Sequence, residues 1–108
     1  MIFHITQRSR WETSQHEGQH TGSTLDRELA DEGFIHCSTA DQTPATLARF
    51  YSGVPDLVIL HIDEELLDSP LVYERAADAA DDFPHVYGPI NLPAVVRVEP
   101  VRVEPTPH

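Results

Sequence analysis

The longest apolar stretch in the chain is Leu57–Ile62, and even this is interrupted by His61. Its apolar residues are consecutive, so an extended segment here is apolar on both faces. Spanning a bilayer takes about 20 such residues. The stretch therefore reads as a central strand over residues 56–62, covered on both sides by the rest of the protein. The chain must build its sheet and core around that strand. Its 108 residues are enough for one domain and too few for two, and a 40% hydrophobic content fills one modest core.

The flanking segments read in order. Residues 2–6 alternate and form a first strand. Ser9 and Glu12 have the spacing of a capping box for a helix ending near Glu17. A polar loop at 18–22 holds His20, and a second helix over 25–31 ends at Gly33. Residues 34–38 form the second strand. Thr43 and Pro44 suit the N-cap and first position of a helix running to Tyr51, with Gly53 closing it. A turn at 68–70 leads to a strand at 71–75. The acidic, alanine-rich stretch 76–82 reads as a helical turn or a loop. Residues 83–87 form a strand ended by Gly88 and Pro89, and 95–103 alternate, with Pro100 demanding a break or an edge position. Residues 1–103 form one domain and 104–108 a frayed tail. Helices early and strands late indicate α+β rather than alternating βαβ.

Eighteen acidic residues stand against seven arginines and no lysine, a formal charge of −11. This surface repels nucleic acid and anionic lipid, so neither nucleic acid nor membrane is an expected partner. A small anionic ligand held by local arginines remains compatible with it. With Cys37 as the sole cysteine, no internal disulfide forms. The N-terminus lacks a basic n-region and an apolar h-region, so a cytoplasmic location is expected. Neither GxGxxG nor GxxxxGK[ST] occurs.

Four of the seven histidines lie in the expected strands, and alternation sorts them by face. His4 and Thr6 share one face of the first strand, and His36 and Ser38 one face of the second. His85 and Tyr87 point together, and Glu74 sits in the strand between. Should these faces meet, they line one cleft. Each residue also has a structural reading, as a ring or carboxylate satisfied by its neighbours. His61, in the most apolar strand, is read that way. His16, His20 and His108 fall in loops or the tail and receive no role. Cys37 sits beside Ile35 on the core face as a small buried hydrophobe, pointing away from His36. No HxH, HExxH or CxxC spacing occurs, so no metal is expected, although His36, His85 and Glu74 leave a metal-assisted hydrolase as a third reading.

The segments GFIHCST at 33–39, ARFYSG at 48–53, DLVILHID at 56–63 and FPHVYGPI at 83–90 together resemble the bacterial family catalogued as domain of unknown function 952. The likeness runs from about residue 2 to residue 98. It implies a fold similar to the ADP-ribosyltransferase-like superfamily: a split, strongly bent, mostly antiparallel sheet with a few short helices and a cleft between the halves. By that resemblance His4 and Thr6 hold a ribose, and His36, Ser38 and Thr39 supply the second element. Glu74 or His85 supplies the third. The expected ligand is NAD or a related nucleotide, with ADP-ribosyl transfer or NAD hydrolysis as the candidate activity. Catalysis falls to His36, Glu74 and His85; ligand binding falls to His4, Thr6, Ser38, Thr39, Tyr87 and Arg49, the arginine clamping a pyrophosphate as Arg10 or Arg75 also can. The competing class is a non-catalytic module that binds a small molecule.

Overall fold

The computed structural model describes residues 1–75 and 80–101. Residues 76–79 and 102–108 lie outside the described residues, and with them the expected tail, the end of the last expected strand and the first part of the alanine-rich stretch. In chain order the elements are β1 (Ile2–Gln7), α1 (Arg8–Glu17), β2 (Gln19–His20), β3 (Gly22–Thr24), β4 (Arg27–Glu28), α2 (Leu29–Glu32), β5 (Ile35–His36), α3 (Thr43–Phe50), β6 (Leu57–Ile62), β7 (Leu71–Glu74), β8 (Phe83–Val86), β9 (Ile90–Asn91) and β10 (Val95–Pro100). A radius of gyration of 13.5 Å is close to the ~13 Å of a compact domain of this length.

β6 occupies the centre of an antiparallel sheet ordered β1-β6-β10, and both its faces are covered. One carries Val58, Leu60 and Ile62, which pack with Ile2, Trp11, Ile35, Val86 and Ile90. The other carries Leu57 and Ile59, which pack with Ile5 and Tyr51 and, around them, Phe3 and Leu47. A strand that is apolar at consecutive positions needs such two-sided cover, and each fully buried Leu or Ile contributes about 1.5–3 kcal/mol. β10 is an edge strand whose register shifts between Val95 and Arg97, and Pro100 closes its ladder opposite Val58.

A second antiparallel sheet, ordered β5-β8-β7, pairs His36 with His85 and Val72 with His85. A single bridge joins the two sheets: the Phe3 and Ser38 backbones exchange two hydrogen bonds of 2.8 Å. The domain is thus α+β, mostly antiparallel, with few helices.

Several local expectations need correction. Ser9 does not cap α1. The N-cap is Gln7, without a side-chain bond, and the Arg8 N–H is satisfied by the Asp56 carbonyl at 2.9 Å, so a tertiary acceptor does the work of a cap. The second helix is only Leu29–Glu32, closed by a capping box between Glu28 and Asp31 and by Gly33 at φ 84°. Residues 22–28 form a β3–β4 hairpin instead, with Leu25 exposed at its turn, so a helix there would have buried no apolar face. Thr43 lies inside α3 and not at its cap. The capping-box exchange falls one turn earlier, where the Thr39 N–H donates to the Gln42 side chain at 3.0 Å and the Gln42 N–H to Thr39 Oγ1 at 3.4 Å.

Candidate functional site

A cavity of about 470 Å3 opens between the two sheets and α3. Alternation on the β5-β8-β7 sheet puts Phe34, His36, Glu74, Phe83 and His85 on its cavity side, and Phe3 and Ile5 of β1 form the opposite wall. Thr46, Arg49 and Phe50 close it from α3.

The His85 ring lies at the centre of the polar wall. Its Nδ1–H donates to Glu74 Oε1 at 2.8 Å, and the Tyr87 hydroxyl donates to the same oxygen. These two donors, Tyr87 first, hold the Glu74 carboxyl below its ordinary range, and the carboxylate in turn raises the Tyr87 phenol. Phe34 stacks on His85 with ring centres 4.1 Å apart and planes 20° from parallel, and its ring also meets His36 at 4.7 Å. The His36 ring stands edge-on to His85 at 5.5 Å, with its Nε2 3.7 Å from Glu32. Burial, then the neighbouring His85, lower the His36 pKa against the opposing pull of Glu32.

Arg49 lies in the last turn of α3 with its guanidinium 4.9 Å above the Phe50 ring. Arg8, Arg10, Arg27 and Arg75 each pair with a carboxylate; Arg49 joins no ion pair among the described residues. In a chain of net charge −11 it is a cation placed on the cavity and available to an anion.

The structure thus brings His36, Glu74, His85, Ser38 and Arg49 to one cavity, with Tyr87 attached through Glu74. His4 and Thr6 are not in it. The expected alternation of β1 holds, but the face turned to the cavity carries Phe3 and Ile5, because Phe3 is the residue bridged to Ser38. His4 is buried on the other face, with Nδ1 2.7 Å from the His36 carbonyl and Nε2 2.9 Å from His20, so both ring nitrogens are taken. His20, expected in a loop without a role, is buried in β2. Thr39 serves the start of α3 as described above. Ser38 is buried, and its hydroxyl is bonded to Thr43 Oγ1 at 2.9 Å. Cys37 is buried and its thiol pKa pushed up by burial. Phe34 escaped the sequence reading although its spacing of two from His36 signals a shared face. Among the described residues no group of three or more His, Cys, Asp or Glu is placed to hold a metal ion, and no helix is long and apolar enough to cross a membrane.

The model of the family described as "Protein of unknown function (DUF952)" matches residues 5–98. The chain belongs to this family. Among solved structures, the crystal structure of CC0527 from Caulobacter crescentus is similar at a TM-score of 0.83 and 32% identity, covering 95% of this chain and 87% of that one. The solution structure of CC0527 is similar at a TM-score of 0.78 and 31% identity, covering 95% and 85%. No curated protein matches the chain. This DUF952 domain therefore shares its fold with CC0527, and the cavity itself must supply the argument for what it binds.

Proposed function

We propose that the cavity binds NAD or a related nucleotide, with NAD hydrolysis or ADP-ribosyl transfer as its activity. The observation that carries this reading is Arg49, a cation without a carboxylate partner among the described residues, set across a small cavity from an aromatic and histidine wall. A nucleotide offers both complements: a phosphate for a guanidinium, and a planar ring and ribose hydroxyls for Phe34, His36 and Glu74. A volume of about 470 Å3 lies within the ~300–1,000 Å3 of small-molecule pockets and suits one nucleotide half of a dinucleotide, the other half extending from the mouth.

Two separate three-stranded sheets joined by the Phe3–Ser38 bridge are compatible with the split sheet that the ADP-ribosyltransferase-like resemblance implies. The ribose role drawn from it for His4 and Thr6 is not retained, since those residues face away from the cavity. His36 and Glu74 take that role here. Arg49 holds phosphate, and Arg10, committed to Glu28 at 2.7 Å, does not. A second reading, a non-catalytic module for an anionic small molecule, draws on the same Arg49 and on the withdrawal of His4.

Calorimetric titration with NAD⁺ tests the proposal on the wild type, His36→Ala and Arg49→Ala, with the fold of each checked. Binding by the wild type that weakens at least tenfold in each variant, about 1.4 kcal/mol, supports it. A folded wild type that does not bind NAD⁺ removes it. Binding with no release of nicotinamide moves the non-catalytic reading ahead.

A further inference from the structure

We propose that His85 is the general base of a hydrolytic reaction in this cavity, held through its Nδ1–H by Glu74 and taking a proton from water at Nε2; the proposal rests on the nucleotide reading above. A carboxylate only accepts hydrogen bonds, so the 2.8 Å contact to Glu74 makes Nδ1 the protonated nitrogen of the neutral ring and leaves Nε2 with its lone pair. Nε2 has no hydrogen-bond partner among the described residues, and the ring lines the cavity.

Three neighbours fix the ring. Glu74 holds it in plane, Phe34 stacks on one side at 4.1 Å and His36 stands edge-on at 5.5 Å. Tyr87 in turn fixes Glu74 by donating to the same oxygen. A carboxylate–imidazole pair oriented in this way is the arrangement that accepts a proton from a nucleophile and stabilises the imidazolium that results.

The cavity also shows which nucleophile the base serves. Among the described residues, no hydroxyl or thiol on its wall is hydrogen-bonded to His85 Nε2: Thr46 donates to the Gln42 carbonyl at 3.0 Å, and the Thr24 and Tyr51 hydroxyls bond each other at 3.1 Å. Of the two carboxylates there, Glu74 is engaged by Tyr87 and His85, and Glu32 faces His36 at 3.7 Å. The Cys37 thiol is buried, with burial favouring its neutral form. Thr43 donates its hydroxyl proton to the Thr39 carbonyl at 2.8 Å, so at the 2.9 Å Ser38–Thr43 contact Ser38 is the donor. Its proton is spent on a threonine and is not offered to an imidazole. Direct attack by water remains.

With NAD⁺ as substrate the step balances. His85 Nε2 takes a proton from water, and the water oxygen bonds to the anomeric carbon. The bond from that carbon to the nicotinamide nitrogen breaks, its electron pair neutralising the pyridinium. The imidazolium returns its proton to bulk water. The sum is NAD⁺ and water giving ADP-ribose, nicotinamide and a proton.

The test pairs NAD⁺ calorimetry with a nicotinamide-release assay on the wild type, His85→Ala and His85→Gln, and with the intact mass of the protein after mixing. The proposal expects both variants to bind NAD⁺ while turnover falls by roughly 10²–10⁴. Free imidazole partly restores His85→Ala, and no ribosyl adduct appears on the protein. His85→Gln keeps the test valid should the alanine variant fold poorly. Unchanged turnover in the variants, absence of turnover in a wild type that binds, or a covalent adduct overturns the general-base proposal and leaves the nucleotide reading standing. Failure of the wild type to bind NAD⁺ brings down the nucleotide reading itself, and this proposal with it.

Discussion

His4 and His20 meet Nε2 to Nε2 at 2.9 Å in the interior, and one placement of protons satisfies the chain of contacts in which they stand. The His36 carbonyl can only accept, so His4 Nδ1 donates to it at 2.7 Å and His4 Nε2 is the acceptor for His20. His20 then carries its proton on Nε2 and accepts at Nδ1 from the Ser14 hydroxyl at 2.7 Å, the shorter of that hydroxyl's two donor contacts, the other being to the Arg10 carbonyl at 3.1 Å. Arg10 donates to Ser14 at 2.9 Å. The relay runs from Arg10 on α1 through two neutral imidazoles to the backbone of β5, and adding a proton to either ring breaks it.

Acid should therefore weaken the folded domain once the pH falls below the ordinary histidine range. Burial foremost lowers His4 to about 4 and His20 to about 2, against 6.5 for the ordinary side chain. Below pH 6.5 the unfolded chain binds protons that the folded one refuses. The stabilisation is thus complete above about pH 6.5 and shrinks as the pH falls toward 4, by up to ~1.4 kcal/mol per pH unit per histidine. For His4 alone the loss is on the order of 3 kcal/mol. Urea midpoints at pH 7.5 and 5 should differ steeply, and ¹⁵N spectra at pH 5 should show two neutral rings, one protonated at Nδ1 and one at Nε2. Equal midpoints, or charged rings in the folded protein, would refute the relay.

Arg10 anchors the same relay from outside. Its Nε and one terminal nitrogen fork onto the two Glu28 oxygens at 3.1 and 2.7 Å, and it also donates to Thr21 at 2.8 Å. The pair is only partly exposed, 22% for Arg10 and 46% for Glu28, so Arg10→Ala should cost about 2 kcal/mol, between a surface pair and a buried one. Glu28 belongs to the capping box of α2, so Glu28→Ala should also weaken that helix. Chemical denaturation of both variants and of their double mutant measures the coupling. Strict additivity would mean that the fork contributes nothing.

How far the sequence could be read depended on whether a feature was local. β6 was legible because its neighbours in sequence are apolar on both faces, and Gly33 because a left-handed residue ends a helix locally. His36, Glu74 and His85 reach one cavity because period-two alternation in β5, β7 and β8 sorted their faces correctly. Alternation in β1 named two faces without saying which one turns to the cavity. That choice is made by the Phe3–Ser38 bridge, 35 residues away in sequence. His20 was illegible for the same reason: Gln19 and Gly18 beside it are exposed, and its burial comes from pairing with Ile90 in β9.

The Cys37 thiol should be inert in the folded protein although it borders the cavity. It is 6% exposed, and burial raises its pKa, so little thiolate exists at neutral pH. Labelling with a disulfide reagent should be at least 100-fold slower for the native protein than in denaturant. Rapid native labelling would show a thiol reachable from the cavity and would reopen its candidacy as a nucleophile.

Tyr87 and Glu74 set each other's protonation. Hydrogen bonds from Tyr87 and then from His85 lower the Glu74 pKa, and the carboxylate raises that of Tyr87. A lowered carboxyl in the folded state stabilises it at pH values above the ordinary 4.5, and this contribution is lost as the pH falls through the lower folded value. Tyr87→Phe removes the leading donor and should move the Glu74 titration upward toward 4.5, read from its ¹³C carboxyl shift. The remaining bond to His85 then holds Glu74 alone, so the shift should fall short of the ordinary value. A titration unmoved by Tyr87→Phe would mean that the phenol does not hold the carboxylate, and His85 would lose the support that fixes its partner.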